Sequence, residues 1–173
     1  LLDGFLFYFF LVFFSFFFVK FLMRSEAKLT FKARVMQALS IKSHRVGTDY
    51  PQPHLFILNK GNNSGKPLNQ ACPNCFVCLV DSTEERELIY WLLYGLWQSK
   101  SFRQYLRGSV IPFIVKNDLI SCISHAKSKA ANNPDDFQKS VAMLRNLENL
   151  EATYKKNLQL INQAKNTVFH KFI

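Results

Sequence analysis

The C-terminal segment, residues 133–173, constrains the fold more than any other part of the chain. Asn133 and Pro134 supply a capping side chain and a proline at the first helical position, and two acids follow them. At 1.5 Å per residue, a helix continuing almost to the C-terminus is more than about 50 Å long. We therefore expect a long C-terminal helix, part of which packs outside the globular core. A single apolar stripe along this segment predicts the helix, and it consists of Phe137, Val141, Leu144, Leu147, Leu150, Tyr154, Ile161 and Val168.

The segment before this helix, residues 23–132, contains short apolar runs separated by polar loops. HLFIL at residues 54–58 and NCFVCLV at residues 74–80 have the length and composition of buried strands. GSVIPFI at residues 108–114 predicts a third strand, which its proline restricts to a sheet edge or a bulge. Residues 27–40 fit a short basic helix or an irregular edge.

A central helix is predicted between the second and third strands. Ser82 and Glu85 form a capping box, in which a hydroxyl and a carboxylate satisfy open backbone N–H groups. The following residues, through about Ser99, are apolar on most of the helix circumference, so this helix must be buried. The fold class is therefore α+β: a small mixed sheet packed against a buried central helix, followed by the long C-terminal helix. We expect residues 23–132 to form one α/β globular domain.

The first residues, 1–22, form an apolar, phenylalanine-rich tract. We interpret it as an over-extended reading frame, because the chain begins with Leu and Met23 is a natural start. The alternative is a membrane anchor, because the apolar run has the length of a short span and basic residues follow it. Both interpretations leave the rest of the chain in the cytoplasm, with a membrane partner only if the tract is genuine.

Basic residues outnumber acidic ones by 22 to 12, which gives a net charge of +10. Such a charge raises the local concentration of polyanions, and nucleic acid is the commonest of these. An acidic protein or a lipid surface is the next alternative, and a basic charge without a functional role is the third. The cysteines fit reduced thiols in a cytosolic protein, because three of the four lie within seven residues around an apolar run.

Neither of two motifs gives a signature for catalysis or metal binding. Gly61-x-x-x-Gly65-Lys66 resembles a phosphate-binding loop, but it is one residue short and Pro67 replaces the magnesium-binding hydroxyl. Cys72-x-x-Cys75-x-x-Cys78 has the spacing of a metal-ligand run, but zinc needs a second ligand pair, which is absent or distant. We favour buried free thiols and expect no catalytic residue, no metal and no cofactor.

The basic residues around the glycine loop, and those after the central helix, form the candidate site. Interleaved with amides and a hydroxyl, they have the donors that phosphate contacts use, although a solvated rim is the alternative interpretation. The candidate nucleic-acid-binding residues are Lys60, Asn62, Asn63, Ser64, Lys66, Lys100, Arg103, Arg107 and Lys116.

Two stretches carry a family resemblance: HLFILNKGNNSGKPLNQACPNCFVCLV and ELIYWLLYGLWQSKSFRQYLRGSVIPFI. Together they resemble an uncharacterised family of short proteins from Bacteroidetes-type bacteria, a domain of unknown function, over about residues 44–173. ELIYWLLYGLWQSKSFRQYLRGSVIPFIVKNDL is also similar to the target recognition domain of type I restriction–modification specificity subunits. There a helix, a "G-S-x-I-P-x-I" strand and an "x-D-L" step precede a spacer helix that pairs as a coiled coil. SCISHAKSKAANNPDD departs from that pattern, and the chain has one recognition-sized unit where a full subunit has two.

The resemblance implies DNA binding without catalysis, because such subunits leave the chemistry to their partners. We therefore expect a non-enzymatic DNA-binding module resembling a restriction specificity half-subunit. Its long helix would serve a homodimer or dock a partner subunit, and no small-molecule substrate is expected. The alternative is a protein–protein interaction module, such as an accessory protein of a bacterial mobile element, with no nucleic-acid role.

Overall fold

The structure is a computed structural model that describes Glu26, residues 29–33, Val35, residues 39–170 and Phe172. The tract at residues 1–22, with its two interpretations, lies outside the described residues. Within the segment predicted as a short basic helix or an irregular edge, residues 29–33 are helical and Ser40 begins the first strand. In the described part of the chain, no helix has both the length and the apolar character needed to cross a membrane.

Four strands form the main sheet, in the order β1-β4-β2-β3. They are β1 (Ser40–Ser43), β2 (His54–Leu58), β3 (Pro67–Leu68) and β4 (Cys75–Leu79). All of these pairings are antiparallel, and Phe56 lies opposite Val77 in the central pair. The two strands predicted from HLFIL and NCFVCLV are confirmed, and they are the two central strands.

Both faces of the sheet are covered, which explains why the central strands are apolar at successive positions. Leu55 and its strand partner Cys78 lie on the face toward the helices and are fully buried. On the other face, Phe56, Cys75 and Val77 form a buried cluster that loop residues cover. A strand buried on both sides shows a continuous apolar run rather than an alternating one.

The central helix α1 (Thr83–Gln98) begins as the capping box predicts. The Ser82 hydroxyl accepts a hydrogen bond from the Glu85 N–H at 3.1 Å, and the Glu85 carboxylate accepts one from the Asp81 N–H at 3.0 Å. The carboxylate thus reaches one residue further back than in the standard motif. α1 contacts β2 and β3, and its buried residues include Ile89, Leu92 and Leu93.

The prediction of a single third strand at residues 108–114 is wrong. A two-stranded hairpin replaces it, with β5 (Leu106–Arg107) and β6 (Phe113–Ile114) paired in antiparallel fashion. Gly108, at φ 89°, and Pro112 lie in the connection between the two short strands. Glycine supplies the left-handed conformation that the turn needs, and proline lacks the N–H that a continuous ladder requires.

A further helix, α2 (Lys116–Asn132), was not predicted from the sequence. Its buried residues follow the three- and four-residue spacing of one helix face and include Leu119, Cys122 and Ile123. α2 contacts both α1 and β1, so two helices cover one face of the main sheet. The expected α+β class is confirmed.

The C-terminal helix α3 (Pro134–Phe169) has 36 residues, which corresponds to about 54 Å. It begins at the proline that the sequence places in the first helical position, so the predicted long helix is confirmed. The chain divides into two compact units between Pro134 and Asp135, and α3 makes up most of the second unit. Several large apolar side chains of this helix are exposed.

Candidate nucleic-acid interface

The glycine loop, residues 59–66, connects β2 to β3 and is closed by its own backbone. The Leu58 N–H donates to the Lys66 carbonyl at 2.9 Å across the base of the loop. Ser64 is buried, and its hydroxyl donates to the Gly61 carbonyl at 2.7 Å. Ser64 therefore maintains the loop conformation, while the exposed side chains at the tip are those of Asn62 and Asn63.

Gly65 fixes the loop against the segment that follows α1. Its φ is 92°, and a Cβ atom placed there would overlap the ring of Phe102. Phe102 is itself buried. Glycine is thus required here for two reasons, its backbone conformation and the closeness of the ring. This contact brings the loop tip next to the C-terminus of the central helix.

α1 ends in a Schellman motif that contains one candidate cation, Lys100, and a second, Arg103, lies just after it. The Ser101 N–H donates to the Leu96 carbonyl at 2.9 Å, and the Lys100 N–H donates to the Trp97 carbonyl at 3.0 Å. Lys100 occupies the left-handed position of this motif with φ 60°. It is exposed, as is Arg103 in the single 3-10 turn that follows.

The loop, the end of α1 and the residues that follow it line a partly open cavity of about 120 Å³. This is below the roughly 300–1,000 Å³ of sites for drug-sized ligands, and it suits a group as small as a phosphate. Five of the nine candidate residues line the cavity: Asn62, Asn63, Ser64, Lys100 and Arg103. The other four lining residues, which are not among the candidates, are Trp97, Gln98, Phe102 and Leu106.

Lys66 lies beside this cavity rather than in its lining. Its ammonium group is 4.7 Å from the ring centroid of Trp97, a cation–π contact. Trp97 also packs against Tyr94, with ring centroids 5.7 Å apart. No local sequence signal links Lys66 to Trp97, because the contact depends on how the loop packs against the helix.

The remaining three candidates are Lys60 in the glycine loop, Arg107 on the hairpin and Lys116 at the start of α2. Lys60 and Arg107 are both backbone partners of Phe113, so they share one face of the short ladder. Arg107 also forms an ion pair with Asp118 at 2.8 Å, which reduces the charge it offers to a ligand. Lys116 is exposed in the first turn of α2 and does not line the cavity. The candidates therefore form a cavity group and a separate hairpin group.

The three clustered cysteines are on different faces of the sheet. The Cys75 thiol donates to the Cys72 carbonyl at 2.9 Å, whereas Cys78 faces the helices. Burial raises the pKa of Cys75 to about 11 and that of Cys78 to about 12. Among the described residues, no three His, Cys, Asp or Glu side chains converge as a group that could hold a metal ion.

A buried pair of opposite charges lies between the two helices and the sheet. Glu85 and Lys127 are each only 4% exposed. Burial lowers the pKa of the Lys127 ammonium, and the nearby Glu85 carboxylate opposes that change. The pair cannot be identified from the sequence, because capping alone explains Glu85 and the helix that contains Lys127 is not predicted.

Two histidines that are ten positions apart both pack against Phe56 on the other face of the sheet. His44 and His54 each pack edge-on against Phe56 with ring centroids 5.1 Å apart. A hydrogen bond of 3.1 Å joins His44 Nδ1 to the Tyr50 hydroxyl. The rings of His44, Tyr50 and His54 thus pack around Phe56 of the buried cluster.

Comparison with known proteins identifies the family. No curated protein matches this chain. A family model does match, over residues 41–171, which confirms the expected membership of an uncharacterised family but gives no relationship to restriction specificity subunits. The match covers the main sheet except Ser40, the hairpin, α1, α2 and all of α3. The chain therefore belongs to a family of unknown function, DUF6943.

Proposed function

We propose that this protein is a non-enzymatic DNA-binding module that contacts the phosphate backbone through the cavity between the glycine loop and α1. One observation carries the proposal. Five residues selected only for their phosphate-binding chemistry line a single small cavity, although they come from segments about forty positions apart. A sixth, Lys66, lies against Trp97 in the lining of the same cavity.

The chemistry of the cavity group suits a phosphate diester. Lys100 and Arg103 are exposed cations, and guanidinium groups bind phosphate oxygens in a bidentate manner. Asn62 and Asn63 add exposed amide donors at the loop tip. Such contacts position a protein on nucleic acid, whereas sequence is read by other contacts in the grooves.

The net charge of +10 supports the same proposal at longer range. Each phosphate that a protein neutralises releases condensed counterions, so affinity falls steeply as salt rises. The relation to a restriction specificity half-subunit is a finer part of the proposal. It rests on the sequence resemblance around residues 87–119 and on the long helix that follows the globular unit.

The test compares two variants of equal charge in a salt titration of duplex DNA binding. Lys100→Gln/Arg103→Gln removes two cations from the cavity, and Lys42→Gln/Lys129→Gln removes two exposed cations elsewhere in the same unit. We expect the cavity variant to lose about tenfold or more in affinity and to reduce the salt slope by about 2. Equal effects of the two variants, or an affinity that does not depend on salt, would contradict the proposal.

The second candidate function is protein–protein interaction through α3. The exposed apolar side chains of this helix favour it, because contiguous apolar surface marks an interaction site. Self-association without any DNA binding by the complete chain would support this candidate and exclude the first.

A further inference from the structure

One side of α3 has a regular apolar seam. Its residues are separated by alternating steps of four and three positions over three and a half heptads. This spacing averages 3.5 residues, which is the period of a left-handed coiled coil rather than that of a straight helix. The seam consists of Met143, Leu147, Leu150, Tyr154, Asn157, Ile161, Ala164 and Val168.

The large apolar residues of the seam are open to solvent. The six from Met143 to Val168, leaving out Asn157 and Ala164, are between 48% and 66% exposed. A helix of 36 residues with such a face gains little from the intrinsic helix propensity of its residues and is normally stabilised by packing. The seam therefore needs a partner of matching period and length.

Two copies of the seam fit each other when their helices run in opposite directions. Each large side chain of one copy then faces a suitable side chain of the other. About a two-fold axis between residues 155 and 156, Leu147 faces Ala164, and Leu150 faces Ile161. Met143 faces Val168, so every apolar position of the seam has an apolar partner. At the centre, the Asn157 amide meets the Tyr154 hydroxyl, which brings the only two polar groups of the seam together.

A parallel pair lacks this complementarity. Each residue would then face its own copy, so two Tyr154 rings would compete for one layer and two Ala164 methyl groups would leave a void in another. Facing layers pack best when a large side chain meets a smaller one. The antiparallel arrangement provides this, and the parallel arrangement does not.

We propose that α3 pairs with α3 of a second copy of this chain as an antiparallel coiled coil, with Tyr154 facing Asn157 of the second copy. This inference rests on the second candidate function, interaction through α3, and specifies the partner of that helix. It is carried by the self-complementary order of the seam and not by the cavity.

Disulfide trapping in the complete chain tests the pairing. Leu150→Cys and Ile161→Cys are prepared as separate proteins, mixed, and equilibrated in a glutathione redox buffer. Oxidised glutathione takes up the two electrons as the two thiols lose their protons and form one S–S bond. We expect dimers that link position 150 to position 161, and few that link either position to itself. Mass spectrometry of the linked peptides identifies them.

The matched control uses the outer side of the same helix. Ala152→Cys and Gln159→Cys are exposed and lie away from the seam, so the mixture should give no dimers above the level of the unsubstituted chain. Links of position 150 to itself would show a parallel pair, and an absence of links at both seam positions would show another partner. Either result overturns the proposal.

A second measurement covers the case in which cysteine weakens the seam. The seam variant Leu150→Asn/Ile161→Asn should lower the mass of the particle seen by light scattering to that of one chain. Its control, Ala152→Asn/Gln159→Asn, should leave the mass unchanged. An unchanged mass in the seam variant overturns the pairing. It leaves the salt dependence of the cavity variants unaffected, so the two proposals fail separately.

Discussion

Lys100 is in a backbone conformation that lysine rarely adopts. Its φ of 60° lies in the left-handed region, at the helix-terminating position where glycine is usual. A side chain with a Cβ atom is strained there, by about 1–2 kcal/mol. Strain of this kind tends to persist at functional sites. The exposed position of Lys100 beside the cavity fits that pattern.

Replacing Lys100 by glycine should change the stability of the fold and the affinity for DNA in opposite directions. Lys100→Gly should raise the free energy of unfolding by about 1 kcal/mol, because glycine removes the strain. The same change should lower DNA affinity, because it removes a cation from the cavity. Urea denaturation and a salt-titrated binding assay measure the two effects. Lys100→Gln serves as the control, since it loses the charge but keeps the strain and should gain no stability.

Two glycines with the same φ allow a matched test of the loop. Gly61 and Gly65 both have φ 92°, but a Cβ atom at Gly61 meets nothing within 4 Å, whereas one at Gly65 overlaps the ring of Phe102. Gly61→Ala should cost about 1 kcal/mol of stability from backbone strain alone. Gly65→Ala should cost at least about 1–3 kcal/mol more, as overpacking does. Equal losses in urea denaturation would show that the loop does not need this contact.

The buried thiols predict how stability depends on alkaline pH. The pKa values of Cys75 and Cys78 are raised from 9.0 to about 11 and about 12, so above pH 9 the native state retains protons that the unfolded chain loses. Stability should therefore fall as pH rises through 9, by up to about 1.4 kcal/mol per pH unit for each thiol. Urea denaturation between about pH 8 and about pH 10 measures this slope. Cys78→Ala should make the slope shallower, and an unchanged slope would show that this thiol does not contribute.

At the scale of elements, the sequence predicts those whose signals are local. β2 and β4 are compact apolar runs bounded by polar loops, and Ser82 with Glu85 marks the start of α1. The sequence predicts one strand over residues 108–114, where the structure has the connection and second strand of a hairpin, because apolar composition alone does not reveal that Gly108 turns the chain. α2 was missed because it is rich in serine, lysine and small residues, which obscure its apolar face.

The candidate site could be predicted only in part, for a similar reason. The types of residue that bind phosphate are visible in the sequence, and five of them share one cavity. Their division into a cavity group and a hairpin group depends on long-range contacts, such as that of Gly65 with Phe102. Trp97 belongs to the helix that the sequence predicts to be buried, and its contact with Lys66 depends on tertiary packing.

α1 and α2 contact each other, and each contributes one buried charge, Glu85 and Lys127. Lys127→Met should destabilise the protein by about 3 kcal/mol or more, because it leaves the Glu85 carboxylate buried without a cation. The double variant Glu85→Gln/Lys127→Met should recover part of that loss, since both charges are then absent. Lys129→Met, on the exposed side of the same helix, should change stability by less than about 0.5 kcal/mol. Additive losses in the double variant would show that the two charges are not coupled.

At the scale of the whole molecule, the two compact units have different chemistry. The first contains the cavity with its cations and amides, and the second is a helix whose seam is apolar. If each of two paired copies has one phosphate-binding cavity, a long duplex can engage both. The second contact is then intramolecular, so apparent affinity rises without any new type of interaction.

If both proposals hold, the contribution of α3 to binding should depend on the length of the DNA. On a duplex of about 40 base pairs, four helical turns, the seam variant Leu150→Asn/Ile161→Asn should bind about tenfold or more weakly than the unchanged chain. On a duplex of about 10 base pairs, one helical turn, the two should bind alike, because only one cavity is engaged. The outer-face control, Ala152→Asn/Gln159→Asn, should match the unchanged chain on both. All four substitutions leave the net charge unchanged, so a weakening on the short duplex could not come from electrostatics and would show that the helix affects the cavity directly.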